Sequence, residues 1–290
     1  MTSANDLHLY ERRDDYIPRV AAVHDLCGYG KCSLGVAIPV LSAAGCDVCP
    51  VPTGLFSSHT AFPGWYMHDT TSIMKDYTDA WKGISVEIDA VYSGFLGAPE
   101  QVDRIRDLYE TYPSALRVVD PVMADHGKVY PTYTPELVEA MGTLANGADI
   151  LTPNLTEAAI ILGREWQGCD VDEETVRAMI LELRERGAKN VVLKGIEHGD
   201  GLIHNYVWGD AIDFTETTNA KLPYMLHGTG DVFASTLLAA VMAGSNLAEA
   251  TAFAADFTAD AMLISAKQPN FEDRGVSFEP LLGKVTALLG

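Results

Sequence analysis

The chain has 290 residues, 48% of them hydrophobic, and a mean hydropathy of +0.06, which allows a substantial buried core and excludes global disorder. Twenty Lys and Arg against forty Asp and Glu give a formal charge of −20, so neither nucleic acid nor an anionic membrane finds the basic face it needs. No apolar run reaches membrane-spanning length. The opening MTSANDLHLYERRDDYIPRV is too polar for a signal peptide, and a cytoplasmic location is expected. Residues 1–17 read as a loose leader and residues 18–290 as one domain, because no linker, repeat or low-complexity tract divides them.

Short β-branched runs predict strands over residues 19–23, 46–52, 88–92, 116–119, 149–151 and 190–194. Helical stretches over 33–44, 100–111, 135–144 and 173–186 alternate with them. Residues 201–208 and 211–215 read as a hairpin turning at Gly209-Asp210, and from Gly228 onward the chain is Ala-rich and helical. This order predicts an α/β fold, a mostly parallel sheet with helices on both faces. Ligands in such sheets sit beyond the carboxyl ends of the strands, which points to the loops at His24-Asp25, 57–60, 120–128 and 152–157.

Taken along the chain, Gly28-Tyr29-Gly30-Lys31-Cys32-Ser33 fails as a P-loop, with Asp25 at the first glycine position and Cys32 at the last. It fails as a dinucleotide fingerprint because Ser33 stands where a third glycine belongs. Of five cysteines, Cys46 and Cys49 have C-x-x-C spacing, but they fall in a predicted strand that sends them to different environments, so reduced core thiols are expected. Ser57-Ser58-His59-Thr60 is a polar loop after the second strand. Asp120 and Asp125 follow an apolar strand and suit a divalent cation, or equally a helix cap. Asn154 and Glu157 have capping-box spacing, with a third metal-directed carboxylate as the functional reading. Lys194 ends a core strand, where a buried ammonium needs an anion. His227-Gly228-Thr229-Gly230-Asp231 opens a strong helix. Its glycines allow backbone N–H groups to converge beside a helix N-terminus, suited to a phosphoryl group, while an ordinary N-cap is the structural alternative.

As an ordered set these segments carry a resemblance. GKCSL at 30–34, SSHT at 57–60, DPVMADHGKVY at 120–130, TPNLTE at 152–157 and HGTGD at 227–231 resemble the ribokinase-like superfamily, and more closely its pyridoxal kinase branch. The resemblance implies a three-layer α/β/α sandwich without the lid that sugar kinases insert after strand one. It implies transfer of the γ-phosphoryl group of Mg-ATP to the 5′-hydroxymethyl group of a vitamin B6 vitamer. Asp231 would be the base, with Gly228, Thr229 and Gly230 as the anion hole. Asp120, Thr152, Asn154, Glu157 and Lys194 would serve ATP, and Asp120, Asp125 and Glu157 the Mg²⁺. A monovalent cation such as K⁺ and a homodimer are also in keeping with it. The ring of the substrate would meet His24, Asp25, His59, Thr60 and Asp231, together with two departures from the branch, Ala22 for a serine and Phe95 for a tyrosine. A hydroxymethylpyrimidine kinase of thiamin metabolism is the nearest rival. A catalytically silent ligand-binding relative is the rival from another class, opposed by the complete GTGD and carboxylate set.

Overall fold

The computed structural model describes residues 7–290; the first six residues of the expected leader lie outside them. Residues 7–17 contain neither helix nor strand, yet they are tied down. Arg12 donates to the carbonyls of Ala44, Gly45 and Met242 at 2.9–3.3 Å, and the Tyr16 hydroxyl donates to Asp89.

Strand β1 (Arg19–Cys27) leads into α1 (Leu34–Ala43), β2 (Asp47–Phe56), β3 (Met67–Asp69) and α2 (Thr71–Gly83). β4 (Ala90–Ser93), α3 (Glu100–Thr111) and β5 (Leu116–Val119) follow. A two-stranded flap, β6 (Ala124–Asp125) and β7 (Lys128–Val129), precedes α4 (Pro135–Leu144). The chain continues through β8 (Ile150–Leu151), α5 (Leu155–Leu162), α6 (Glu173–Glu185), β9 (Asn190–Ile196), β10 (Leu202–Gly209) and β11 (Thr215–Ala220). Two long helices, α7 (Thr229–Ala243) and α8 (Leu247–Ser265), come before short terminal turns.

The main sheet runs β11-β10-β9-β8-β5-β4-β1-β2-β3, with every pairing from β9 to β2 parallel and the outer pairings antiparallel. Helices cover both faces, so the central strands are apolar without alternation; Val20, Ala21, Ala22 and Val23 are all fully buried. One core lies under α3, α4, α5 and α6. The other lies under α1, α7 and α8, where α7 is buried on nearly every side. Cys46 packs in the second core and Cys49 against the first, as strand alternation demands. From β1 the chain steps one way to β2 and the other way to β4, and the crevice for a ligand opens at that reversal.

The expected boundaries shift where tertiary packing overrides local signals. β1 runs to Cys27, so His24 and Asp25 belong to the strand rather than to a loop. The hairpin turns over 210–214 instead of at Gly209-Asp210, pairing Val207 with Thr215. Ala211 and Ile212 are drawn into the core, and the Asn190 side chain accepts the Ala211 N–H. Among the described residues no helix is long and apolar enough to cross a membrane.

Candidate active site

At the carboxyl end of β1 the burial of polar groups sets the geometry. His24 is fully buried, edge-on to Tyr92 with centroids 4.3 Å apart. A Cβ on Gly94 would fall 2.1 Å from the His24 Nδ1, so only glycine lets the end of β4 pass the ring. Burial lowers the His24 pKa to about 3, which keeps the imidazole neutral, and neither ring nitrogen has a partner. A bulge between His24 and Leu26 interrupts the alternation. Asp25 beside it accepts from the Cys27 thiol at 3.4 Å; burial raises its pKa, while hydrogen bonds from Ser33 and Cys27 oppose the rise.

Two expected ring contacts are core residues. Ala22 is fully buried in the α1/α7 core, between Pro50 and Tyr92 in the sheet. Phe95 stands edge-on to both Phe56 and Tyr133. Neither presents an exposed face, because the sheet pleat directs one and an aromatic cluster claims the other.

The loop after β2 holds His59 buried in a stack, its centroid 4.4 Å from Phe62 and 4.3 Å from His227. Its Nε2 lies 3.1 Å from the Asp273 carbonyl. His227 is driven down to about pKa 4 by burial and by His59, so this stack joins the 57–60 loop to the start of α7 without a charge on His227. Thr60 follows, half-buried.

Asp120, Thr152 and Lys194 converge from the ends of β5, β8 and β9. Lys194 Nζ lies 2.6 Å from Asp120 Oδ1, which also accepts from Thr152 Oγ1 at 3.1 Å. Asp120 Oδ2 is buried without a partner. Burial raises the Asp120 pKa and Lys194 opposes it. For Lys194, burial favours the neutral amine, but Asp120 and Glu157 outweigh it and raise its pKa. The two stand in ion-pair geometry, with one carboxylate oxygen of Asp120 left over.

The N-terminus of α7 completes the site. Gly228 has φ 88°, and a Cβ there would lie 2.0 Å from the Lys31 carbonyl, so the tight passage of loop 28–33 beneath α7 requires glycine. No side chain caps this helix, and the N–H groups of its first turn have no acceptor within the helix. Lys194 Nζ sits against this turn, 3.7 Å from where a Gly230 Cβ would be. Asp231 is half-buried in that turn, and its Oδ1 is buried without a partner. Burial first, then Asp120 and Asp25, push its pKa up to about 7, while the Ser33 N–H and Lys194 restrain the rise. A carboxylate poised near neutrality is matched to taking a proton.

The three carboxylates read from the sequence as a metal set do not meet at one point among the described residues. Glu157 turns into a capping box, accepting the N–H of Asn154 at 2.8 Å and of Met123 at 3.3 Å, and burial pushes its pKa up to about 8. Asp125 lies at the flap tip and accepts from the His126 N–H. Sequence reasoning missed two groups. Ser33 takes φ 52° and aims its N–H at Asp231; the signal was its place where a glycine is usual. Tyr130 belongs to the DPVMADHGKVY run, and its hydroxyl has its pKa raised by burial and then by Glu157, Asp125, Asp231 and Asp120.

An open, mostly parallel sheet with an uncapped, glycine-led helix, a half-buried carboxylate and a Lys–Asp pair at its carboxyl edge defines the ribokinase-like class of kinases. Residues 39–274 match the family described as phosphomethylpyrimidine kinase, and the chain belongs to that family. The structure is similar to a Bacteroides thetaiotaomicron protein described as a phosphomethylpyrimidine kinase and solved with pyridoxal. That likeness has a TM-score of 0.89 and 32% identity, and covers 93% of this chain and 96% of the other. Pyridoxal kinase from Lactobacillus plantarum superposes with a TM-score of 0.86 at 27% identity, over 94% of this chain and 98% of its own. In sequence, pyridoxal kinase PdxY of Deinococcus radiodurans is 27% identical over 235 residues, covering 76% of this chain and 78% of its own.

Proposed function

We propose that this kinase transfers the γ-phosphoryl group of ATP to the 5′-hydroxymethyl group of a vitamin B6 vitamer. The observation that carries the reading is Asp231, a half-buried carboxylate with one oxygen unpartnered and a pKa of about 7 at the mouth of an uncapped helix. Its Oδ1 accepts the proton of the alcohol as the oxygen attacks phosphorus. The N–H groups of Thr229, Gly230 and Asp231 and the positive end of α7 stabilise charge on the transferred group. Lys194, held by Asp120, stands against the same turn and neutralises phosphate. Such positioning and charge neutralisation are most of what phosphoryl transfer asks of a protein.

Mg²⁺ usually binds through one or two carboxylates together with substrate phosphates, and the unpartnered Asp120 Oδ2 fits that demand. The ion would supply charge neutralisation of the nucleotide phosphates there, with Asp120 as the residue that would hold it. On the acceptor side, the His59–His227 stack and Thr60 frame a site for a flat heteroaromatic ring, with the neutral His24 buried at the end of β1 behind it. The pyridoxal carried by the Bacteroides relative supports the choice of ring. A cytoplasmic homodimer belongs to the same reading and rests on the family resemblance.

The family's own description as phosphomethylpyrimidine kinase favours hydroxymethylpyrimidine as a second acceptor. Steady-state kinetics with pyridoxal, pyridoxine, pyridoxamine and hydroxymethylpyrimidine decide between them. The B6 reading expects the highest kcat/KM for a vitamer, and a higher value for hydroxymethylpyrimidine overturns it.

A further inference from the structure

Away from the active site, the β9–β10 loop and the edge hairpin gather another set of donors. His198, His204 and Glu216 bring one ligand atom each within 4.8 Å of one another. His204 is on β10, and its Nδ1 lies 2.5 Å from Glu216 Oε1 on β11. The Tyr206 hydroxyl lies 2.8 Å from the same carboxylate oxygen and 2.8 Å from His198 Nε2. On the far side of the His204 ring, Nε2 lies 3.1 Å from Asp200 Oδ2.

The chain builds this convergence in three ways. His204 and Tyr206 are two residues apart on β10 and share a face, and the β10 pairing with β9 shifts between them. Glu216 is the cross-strand partner of Tyr206, so its carboxylate reaches both side chains. Gly195 near the end of β9 and Gly199 and Gly201 in the loop that follows all have positive φ, and the loop folds His198 over the His204 ring with centroids 4.3 Å apart.

We propose that these residues form a binding site for a zinc-class divalent ion, with His204 Nδ1, His198 Nε2 and Glu216 as ligands. Two imidazoles and a carboxylate suit borderline d-block ions, whereas Mg²⁺ and Ca²⁺ prefer all-oxygen shells. Asp200 supplies the outer shell. A carboxylate accepting from the second ring nitrogen fixes the imidazole tautomer that leaves the first nitrogen free for metal. Tyr206 holds His198 and Glu216 beside each other through its hydroxyl; ion binding replaces its bond to His198 Nε2 and leaves it to orient Glu216. Ligands at about 2.1 Å on a tetrahedral ion stand roughly 3.4 Å apart, so Glu216 and His204 Nδ1, 2.5 Å apart, must separate by side-chain rotation, and Glu216 is exposed on an edge strand where it can turn. Asp200 is exposed and His198 half-buried, leaving an entry path from solvent, while His204 is buried and held in place. An ion there joins the β9–β10 loop to β10 and β11, and its role is to fasten this edge of the sheet.

The test uses the full chain stripped with EDTA and titrated with Zn²⁺ by calorimetry. Thermal unfolding is followed in parallel, with Co²⁺ as a spectroscopic probe. Uptake of one equivalent is expected, with a higher Tm and a visible Co²⁺ band of four-coordinate intensity. His198→Ala and His204→Ala should abolish it, and Asp200→Ala should weaken it by about 10–100-fold, the usual effect of losing an outer-shell partner. If His204→Ala fails to fold, the accessible positions His198 and Asp200 decide. Absence of stoichiometric uptake overturns the proposal, as does uptake undiminished in His198→Ala. Uptake lost in Cys27→Ser, which would place the ion on the Asp25–Cys27–Cys32 group, also overturns it, and so does displacement by an equal concentration of Mg²⁺.

Discussion

Two helices start at the carboxyl edge of the same sheet with an acidic residue in the first turn, and they use it in opposite ways. In α5, Asn154 and Glu157 close a complete capping box, so the exposed donors of the helix are satisfied by its own side chains. In α7 the N-cap is Gly228, no side chain caps the turn, and the Asp231 Oδ1 has no partner. Glu157 is buried and Asp231 half-buried, and both have raised pKa values. What separates them is satisfaction: a helix end closed by its own carboxylate holds structure, and one left open, with a carboxylate oxygen unpartnered, is equipped for an incoming anion and a proton.

The largest expected effect comes from removing the open end's base. Asp231→Asn should lower kcat by at least ~100-fold, the lower range for loss of a general base, with nucleotide binding retained. A folded variant with near-normal kcat would remove Asp231 from the chemistry. Next comes the closed end. Glu157→Ala leaves the Asn154 and Met123 N–H groups without their acceptor, which costs about 1–3 kcal/mol when such groups are buried. A fall in Tm with an unchanged Mg²⁺ dependence of the rate is expected. If the Mg²⁺ requirement rises instead, the two helix ends are less different than their geometry indicates. The smallest effect is reserved for Ala22→Ser. Its hydroxyl would enter an apolar core, so a modest loss of stability is expected, with the ranking of the B6 vitamers unchanged. A changed ranking would show that the ring reaches further under β1.

Much of this contrast was legible in the residues. GTGD announced a glycine-led helix start, and the 154/157 spacing announced a capping box, because both are local devices written over four or five positions. Strand order and the two-faced core followed from the alternation of β-branched and helical runs. What stayed hidden depends on contacts between distant segments. The extension of β1 through His24 and Asp25 is set by their burial against β4 and loop 28–33. The displaced hairpin turn is set by Asn190 and by the core's demand for Ile212. Nothing local in Ser33 reveals that its N–H faces Asp231, and nothing around Ala22 reveals which side of the sheet it faces. The convergence of His198, His204 and Glu216 likewise requires the β10–β11 register.

Desolvation, together with the nearby Asp120 and Asp25, holds the Asp231 pKa near 7 against the restraint of the Ser33 N–H and Lys194, where the ordinary value is 3.8. A carboxyl whose folded pKa is raised binds more protons in the native state between those values, so its contribution to stability is lost as pH rises through that window. Asn cannot ionise and escapes the loss. The direct measurement is Tm of the wild type and of Asp231→Asn from pH 4 to pH 8. The Tm advantage of Asp231→Asn should be smallest near pH 4, grow as pH rises, and level off above about 7. A difference that stays constant with pH, or one that shrinks as pH rises, would contradict the account.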